Sequence, residues 1–135
     1  MPDKKEHVIK VELSAWQKLI YDNISSKTAL EFANNSSKIS KTTLNNLMMQ
    51  LRKCCNHPYL FLKNYEDLAW HPLIVSASGK FELIDRILPK LLHFRHRVLI
   101  FTQMTHLMDI MQCYFQFRGI RYLRLDGSTK AEDRE

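Results

Sequence analysis

Two short apolar runs separated by one helix-length segment constrain the fold of this chain more than any other feature. Residues 97–101 read RVLIF, residues 120–125 read IRYLRL, and residues 105–117 between them carry apolar side chains at helical spacing. A short, nearly continuous apolar run suits a strand buried on both faces of a parallel sheet. Strand, crossover helix and second strand then make a βαβ unit with a right-handed crossover. Gly119 stands where the helix has to end, since a left-handed cap residue costs least without a Cβ. The expected fold class is α/β.

Upstream of that unit the pattern turns helical. Residues 7–13 (HVIKVEL) alternate apolar and polar positions and predict a short strand. Ser14, with Gln17 three positions on, has capping-box spacing and predicts a helix carrying Trp16, Leu19, Ile20 and Ile24 on one side. Residues 25–41 are rich in Ser, Asn and Lys and poor in apolar side chains, which predicts an exposed, mobile connection. Thr42 or Thr43 is placed to cap a second helix, whose Leu44, Leu47, Met48, Leu51 and Cys55 form a stripe expected in the core until Pro58 ends it. A loop over 63–77 is expected to expose Tyr65 and Trp70. A helix over 80–93 is expected to turn Phe81, Leu83, Ile84, Ile87 and Leu91 inward, around a Pro89 of the kind that kinks helices. A last helix is expected from Thr129, with Glu132 completing a capping box. About six residues cannot offset helix nucleation, so the end at Glu135 reads as a truncation.

Composition removes several function classes. At 135 residues the chain supports one domain at most, and it has neither an apolar run of about 18 residues nor the apolar stretch of a secretory signal. It reads as intracellular, with no membrane partner. Three cysteines, two of them adjacent at Cys54 and Cys55, do not make a disulfide framework. The segment Ser78, Gly79, Lys80 resembles the end of a phosphate-binding loop, but Ile74 stands where that loop needs its first glycine and Phe81 where it needs Ser or Thr. Cys54, Cys55 and His57 lack a fourth ligand at zinc-site spacing, so a buried thiol beside a turn is the better reading and no metal is expected. No catalytic residue can be singled out. The net charge of +6 favours a polyanionic partner. Arg52 is the only arginine before residue 68; Arg86, Arg95, Arg97, Arg118, Arg121, Arg124 and Arg134 follow, and the planar guanidinium fork suits phosphate.

The carboxyl ends of the two expected strands are the remaining candidate site, because open α/β sheets bind ligands at that edge. Thr102 and Gln103 follow the first run; Asp126, Gly127 and Ser128 follow the second. Both turns lead toward helix N-termini, whose free N–H groups favour phosphate oxygens, and the hydroxyl and amide side chains there are suited to positioning a nucleic-acid backbone without reading its sequence. The alternative is that Thr102, Ser128 and Thr129 only cap helices.

Four ordered segments carry a family resemblance: LMMQLRKCCNHPYLF (47–61), SGKFELIDRILPKL (78–91), RVLIFTQM (97–104) and YLRLDGSTKAEDR (122–134). Together with KKEHVIKVELSAWQKLIYD near the start, they resemble the opening of the second RecA-like (helicase C-terminal) lobe of SWI/SNF-type chromatin-remodelling ATPases, closest to the Brahma-like branch. The resemblance implies a partial RecA-like lobe with a parallel βαβ unit and a preceding helical insertion. It divides the chain into a leading strand and helix (1–24), a flexible insertion (25–41), a helical insertion and loop (42–77) and an incomplete lobe (78–135). It further implies a nuclear motor that uses ATP and Mg2+ to move along duplex DNA and shift nucleosomes, partnered by the first RecA-like lobe and by remodelling-complex subunits. This chain alone is expected to bind neither ATP nor Mg2+ and to be inactive. The DNA-facing residues implied are Thr102, Gln103, Asp126, Gly127 and Ser128, with Lys80 and Arg124 as basic contacts and Asp126 shaping its turn. The competing expectation is a short non-catalytic protein that binds DNA or a remodeller.

Overall fold

The structure is a computed structural model that describes residues 3–34, 41–68, 71–130 and 132. Five helices organise them: α1 (Ala15–Asn34), α2 (Lys41–Asn56), α3 (Leu73–Ser76), α4 (Gly79–His93) and α5 (Thr105–Arg118). Single turns of tighter helix occupy Pro58–Phe61 and Tyr65–Leu68. Trp70 and the helix expected from Thr129 fall outside the described residues, apart from Thr129, Lys130 and Glu132 themselves.

The capping box at Ser14 forms as its spacing predicts. The Gln17 N–H donates to Ser14 Oγ at 3.0 Å, and the Ser14 N–H donates back to Gln17 Oε1 at 2.9 Å. From there α1 runs to Asn34, through ten residues, 25–34, whose polarity predicts a connection. A helix satisfies its backbone internally, so polar side chains that stay in solvent do not stop it; its mid-section back-bonds Thr28 Oγ1 to the Ile24 carbonyl at 2.8 Å. The second helix begins at Lys41, which places Thr42 and Thr43 inside its first turn rather than at the cap. Its expected core stripe is a correction: Leu44 is 42% exposed and Met48 57%, whereas Cys54 is fully buried. Periodicity identifies the shared face of a helix, not what covers it.

Pro58 ends α2 as expected and opens the next turn, where its missing N–H costs nothing. His57 caps that turn. Nδ1 accepts the Tyr59 N–H at 3.1 Å, which leaves the proton on Nε2 to be donated to the Ile74 carbonyl at 2.8 Å. Tyr65, expected in solvent, is half-buried and stacks on Tyr59 with ring centroids 6.2 Å apart. The core lies between α3, α4, α5 and the Pro58–Phe61 turn, around Tyr59, Ile74, Phe81, Leu88, Ile110 and Tyr114. Its rings meet edge to face, Phe81 on Tyr114 at 5.9 Å and His57 on Phe81 at 4.6 Å, each pair adding about 0.5–1.5 kcal/mol beyond area burial. Arg118 grips Asp85 through two bonds of 2.7 and 2.6 Å, and the Tyr114 hydroxyl donates to the same carboxylate at 3.0 Å, tying α5 to α4. Burial, then the Asp85 bond, raise the Tyr114 phenol above its usual range.

The expected parallel βαβ unit is not present among the described residues, which contain no strand. Residues 97–101 and 120–125 flank α5 without helix, and Gly119 does cap that helix at φ 65°, but neither run has a ladder partner. A strand requires a neighbour: the sequence sets an extended preference, and the ladder comes from another segment. Leu99, Phe101 and Leu123 consequently stand 82%, 89% and 99% exposed. The strand expected over 7–13 is absent for the same reason, with Val8 and Ile9 in solvent.

Candidate nucleic-acid interface

A buried glutamine positions the start of α4, and with it the site. Gln17 is fully enclosed; its Oε1 also accepts the Gly79 N–H at 3.0 Å, and its Nε2 donates to the Cys54 carbonyl at 2.8 Å. Ser78 caps α4 while its hydroxyl donates to the Asn56 carbonyl at 2.7 Å, and Ser14 donates to the Ala77 carbonyl at 2.6 Å. One polar hub therefore locks together the start of α1, the end of α2 and the start of α4. Gly79 is required for a steric reason: a Cβ there would overlap the Glu12 carbonyl oxygen. With the Gly79 N–H and the Ser78 hydroxyl committed to protein acceptors, the Ser78, Gly79, Lys80 segment does not fit the phosphates of ATP. Among the described residues no group of three His, Cys, Asp or Glu side chains is arranged to hold a metal.

In front of that hub lies an open cleft of about 370 Å³. Arg52, Asn56, Lys80, Thr102 and Gln103 form its polar rim. Phe81, Ile84, Leu107 and Met111 form its floor. The rim is wired together: Lys80 Nζ donates to Asn56 Oδ1 at 2.8 Å, Asn56 Nδ2 approaches Met104 Sδ at 3.6 Å, and Arg52 Nη2 donates to Gln103 Oε1. The Thr102 hydroxyl accepts the Met104 N–H at 3.3 Å, closing a turn two residues ahead of the α5 N-cap, where no side chain caps the helix.

The structure thus brings three expected site residues, Lys80, Thr102 and Gln103, into one cleft. It places the other four in a separate turn. Arg124 reaches back to the first turns of α5, donating to Asp109 and Gln112 at 2.6 Å each, and to Asp126 at 2.8 Å. The Asp109 bond, then Asp126, hold its guanidinium above its usual pKa, and both carboxylates neutralise it locally. Asp126 shapes the turn: Oδ1 accepts the Ser128 hydroxyl at 2.6 Å and the Ser128 N–H at 2.8 Å. Those two bonds, then Arg124, hold its carboxyl down at about 2. Thr129 Oγ1 in turn accepts the Asp126 N–H at 2.9 Å. Gly127 sits exposed at the tip. Arg52 and Asn56 were not expected at the site, although their i, i+4 spacing puts both on one face of α2.

Residues 1–60 match the SNF2-related domain. Over 99% of its length the chain is similar to the probable ATP-dependent DNA helicase CHR23 of Arabidopsis thaliana, at 48% identity over 136 residues. The same share of the chain is 44% identical to the ATP-dependent helicase brm of Drosophila melanogaster over 147 residues, and 43% identical to the transcription regulatory protein SNF2 of Saccharomyces cerevisiae over 140. These matches support the SNF2 remodeller family. The chain spans 12%, 9% and 8% of those three relatives. The SNF2-related match over 1–60 falls on the N-terminal, first-lobe region of such motors and not clearly on the second lobe that the resemblance implied. No described helix is long and apolar enough to cross a membrane.

Proposed function

We propose that this chain is a segment of an ATP-dependent, SNF2-type chromatin-remodelling motor, and that it presents the cleft at Lys80, Thr102 and Gln103, with the turn at Arg124, Asp126, Gly127 and Ser128, to the backbone of duplex DNA. The observation that carries this reading is similarity over nearly the whole chain to proteins named as ATP-dependent helicases and remodelling subunits. In this reading residues 1–24 and 42–77 lead into the second lobe, residues 25–41 are an insertion, and residues 78–135 open the lobe itself. ATP and Mg2+ serve the whole motor from parts other than this chain, whose Ser78 hydroxyl and Gly79 N–H are already committed to protein acceptors. The setting is the nucleus, and the partners are nucleosomal DNA, the first motor lobe and subunits of a remodelling complex.

Backbone recognition without base readout makes a specific demand. Two unrelated short duplexes should bind this chain with equal affinity, and both should weaken linearly in log affinity against log salt. Fluorescence anisotropy with labelled duplexes measures both. Binding that follows base sequence, or that ignores salt, contradicts the proposal.

A further inference from the structure

Carboxylate pairing is uneven among the described cations. Arg118 is matched by Asp85, and Arg124 by Asp109 and Asp126. The cleft rim holds Arg52 from α2 and Lys80 from α4, and no carboxylate lines it. Among the described residues the partners of these two cations are neutral amides, Gln103 Oε1 and Asn56 Oδ1. An amide oxygen orients a cation without cancelling its charge, so two positive charges are held at one opening beside the Thr102 hydroxyl. Both side chains are exposed at their charged ends and bonded to partners that solvent or a ligand can replace.

We infer that Arg52 and Lys80 together form a seat for one phosphate group, which makes α2 part of the ligand-binding surface. The ligand chemistry is a tetrahedral oxyanion. Arg52 offers its planar fork to two oxygens, Lys80 supplies a point charge from α4, and the Thr102 hydroxyl is available to a third oxygen. The inference rests on the DNA reading above for the source of that group, a phosphodiester of the duplex backbone. It goes beyond that reading by adding Arg52 and by assigning one phosphate to two helices.

The test measures duplex binding across salt for the full chain and for Arg52→Ala, Arg52→Lys, Lys80→Ala and Arg86→Ala, with circular dichroism checking that each is folded. Arg86 is exposed on α4 outside the cleft, so Arg86→Ala controls for net charge alone. Because the two cations share one phosphate, Arg52→Ala and Lys80→Ala should each flatten the log–log salt dependence by up to about 0.9, and the double variant by about 0.9 and not about 1.8, while Arg86→Ala leaves it unchanged. Arg52→Lys should keep the slope and lose affinity, since it retains the charge without the fork. A chain that binds duplex with unchanged slopes in both alanine variants overturns the two-helix seat and leaves the DNA reading standing. A chain that binds no duplex overturns both. Inorganic phosphate, titrated while the Arg52 side-chain nitrogen resonances are observed, separates the sources. Saturation by free phosphate without any response to duplex assigns the seat to a soluble phosphate and overturns the phosphodiester assignment.

Discussion

Replacing Gln17 by methionine keeps the length of the side chain and removes every polar atom at its tip. Three backbone groups then lose their partner: the Ser14 N–H, the Gly79 N–H and the Cys54 carbonyl. Ser14 is half-buried and can turn to water, whereas Gly79 and Cys54 are buried and cannot. An unsatisfied buried backbone group costs about 1–3 kcal/mol, so two cost about 2–6, against which the apolar methionine tip recovers about 1–2. The expected loss for Gln17→Met is about 0–5 kcal/mol, centred on about 2.5, against the 5–15 kcal/mol that holds a typical domain together. Urea unfolding followed by far-ultraviolet circular dichroism reads it as a fall in the midpoint at constant slope. Gln17→Glu sharpens the test. A carboxylate still accepts from Ser14 and Gly79, but it faces the Cys54 carbonyl with no proton to donate; a protonated carboxyl does donate. The gap between this variant and wild type should therefore narrow as the pH falls from about 7 toward 5. A methionine variant more stable than wild type, or a glutamate gap that does not move with pH, refutes the hub.

Three further outcomes follow from the same geometry. Burial lowers His57 from an ordinary 6.5 to about 4, outweighing the opposing bond to Ile74, so the unfolded chain binds the extra proton first. Its contribution to stability is complete above about pH 6.5 and is lost progressively as the pH falls toward 4, by about 3 kcal/mol in total, and His57→Gln should flatten that part of the stability–pH curve. Gly79→Ala should destabilise despite alanine's helix preference of about 1 kcal/mol, because the methyl displaces the Glu12 carbonyl; thermal melting above the wild-type midpoint would refute that. Arg95 holds φ 58° just past α4, where only glycine is free of strain, so Arg95→Gly should raise the urea midpoint by the equivalent of about 0.5–1 kcal/mol, and a lowered midpoint would contradict it.

The sequence made legible those features whose cause is local. The Ser14 and Gln17 pair, the stop at Pro58, the span of α4 and the left-handed cap at Gly119 each depend on residues within a turn of one another. Gln17 was readable as half of a capping box, but its bonds to Cys54 and Gly79 cross 37 and 62 positions and leave no local trace. The two apolar runs show the opposite limit. Their composition favours extension, yet a strand is made by a partner, and among the described residues no segment pairs with either run. Helical periodicity in α2 likewise placed Leu44 and Met48 on a common face without saying that the face is open. At the site, the sequence found Lys80, Thr102 and Gln103 but grouped the last two with the 126–128 turn. The cleft groups them with Arg52 and Asn56 instead, because the hub brings the end of α2 against the start of α4.

The central claim is that the rim around Gln103 faces DNA, and photocrosslinking tests it most directly. Benzoylphenylalanine in place of Gln103 should crosslink to either strand of a bound duplex, whereas the same group in place of His93, exposed at the far end of α4, should not. Equal crosslinking from both positions, or crosslinking from His93 alone while duplex binding persists, would contradict the account.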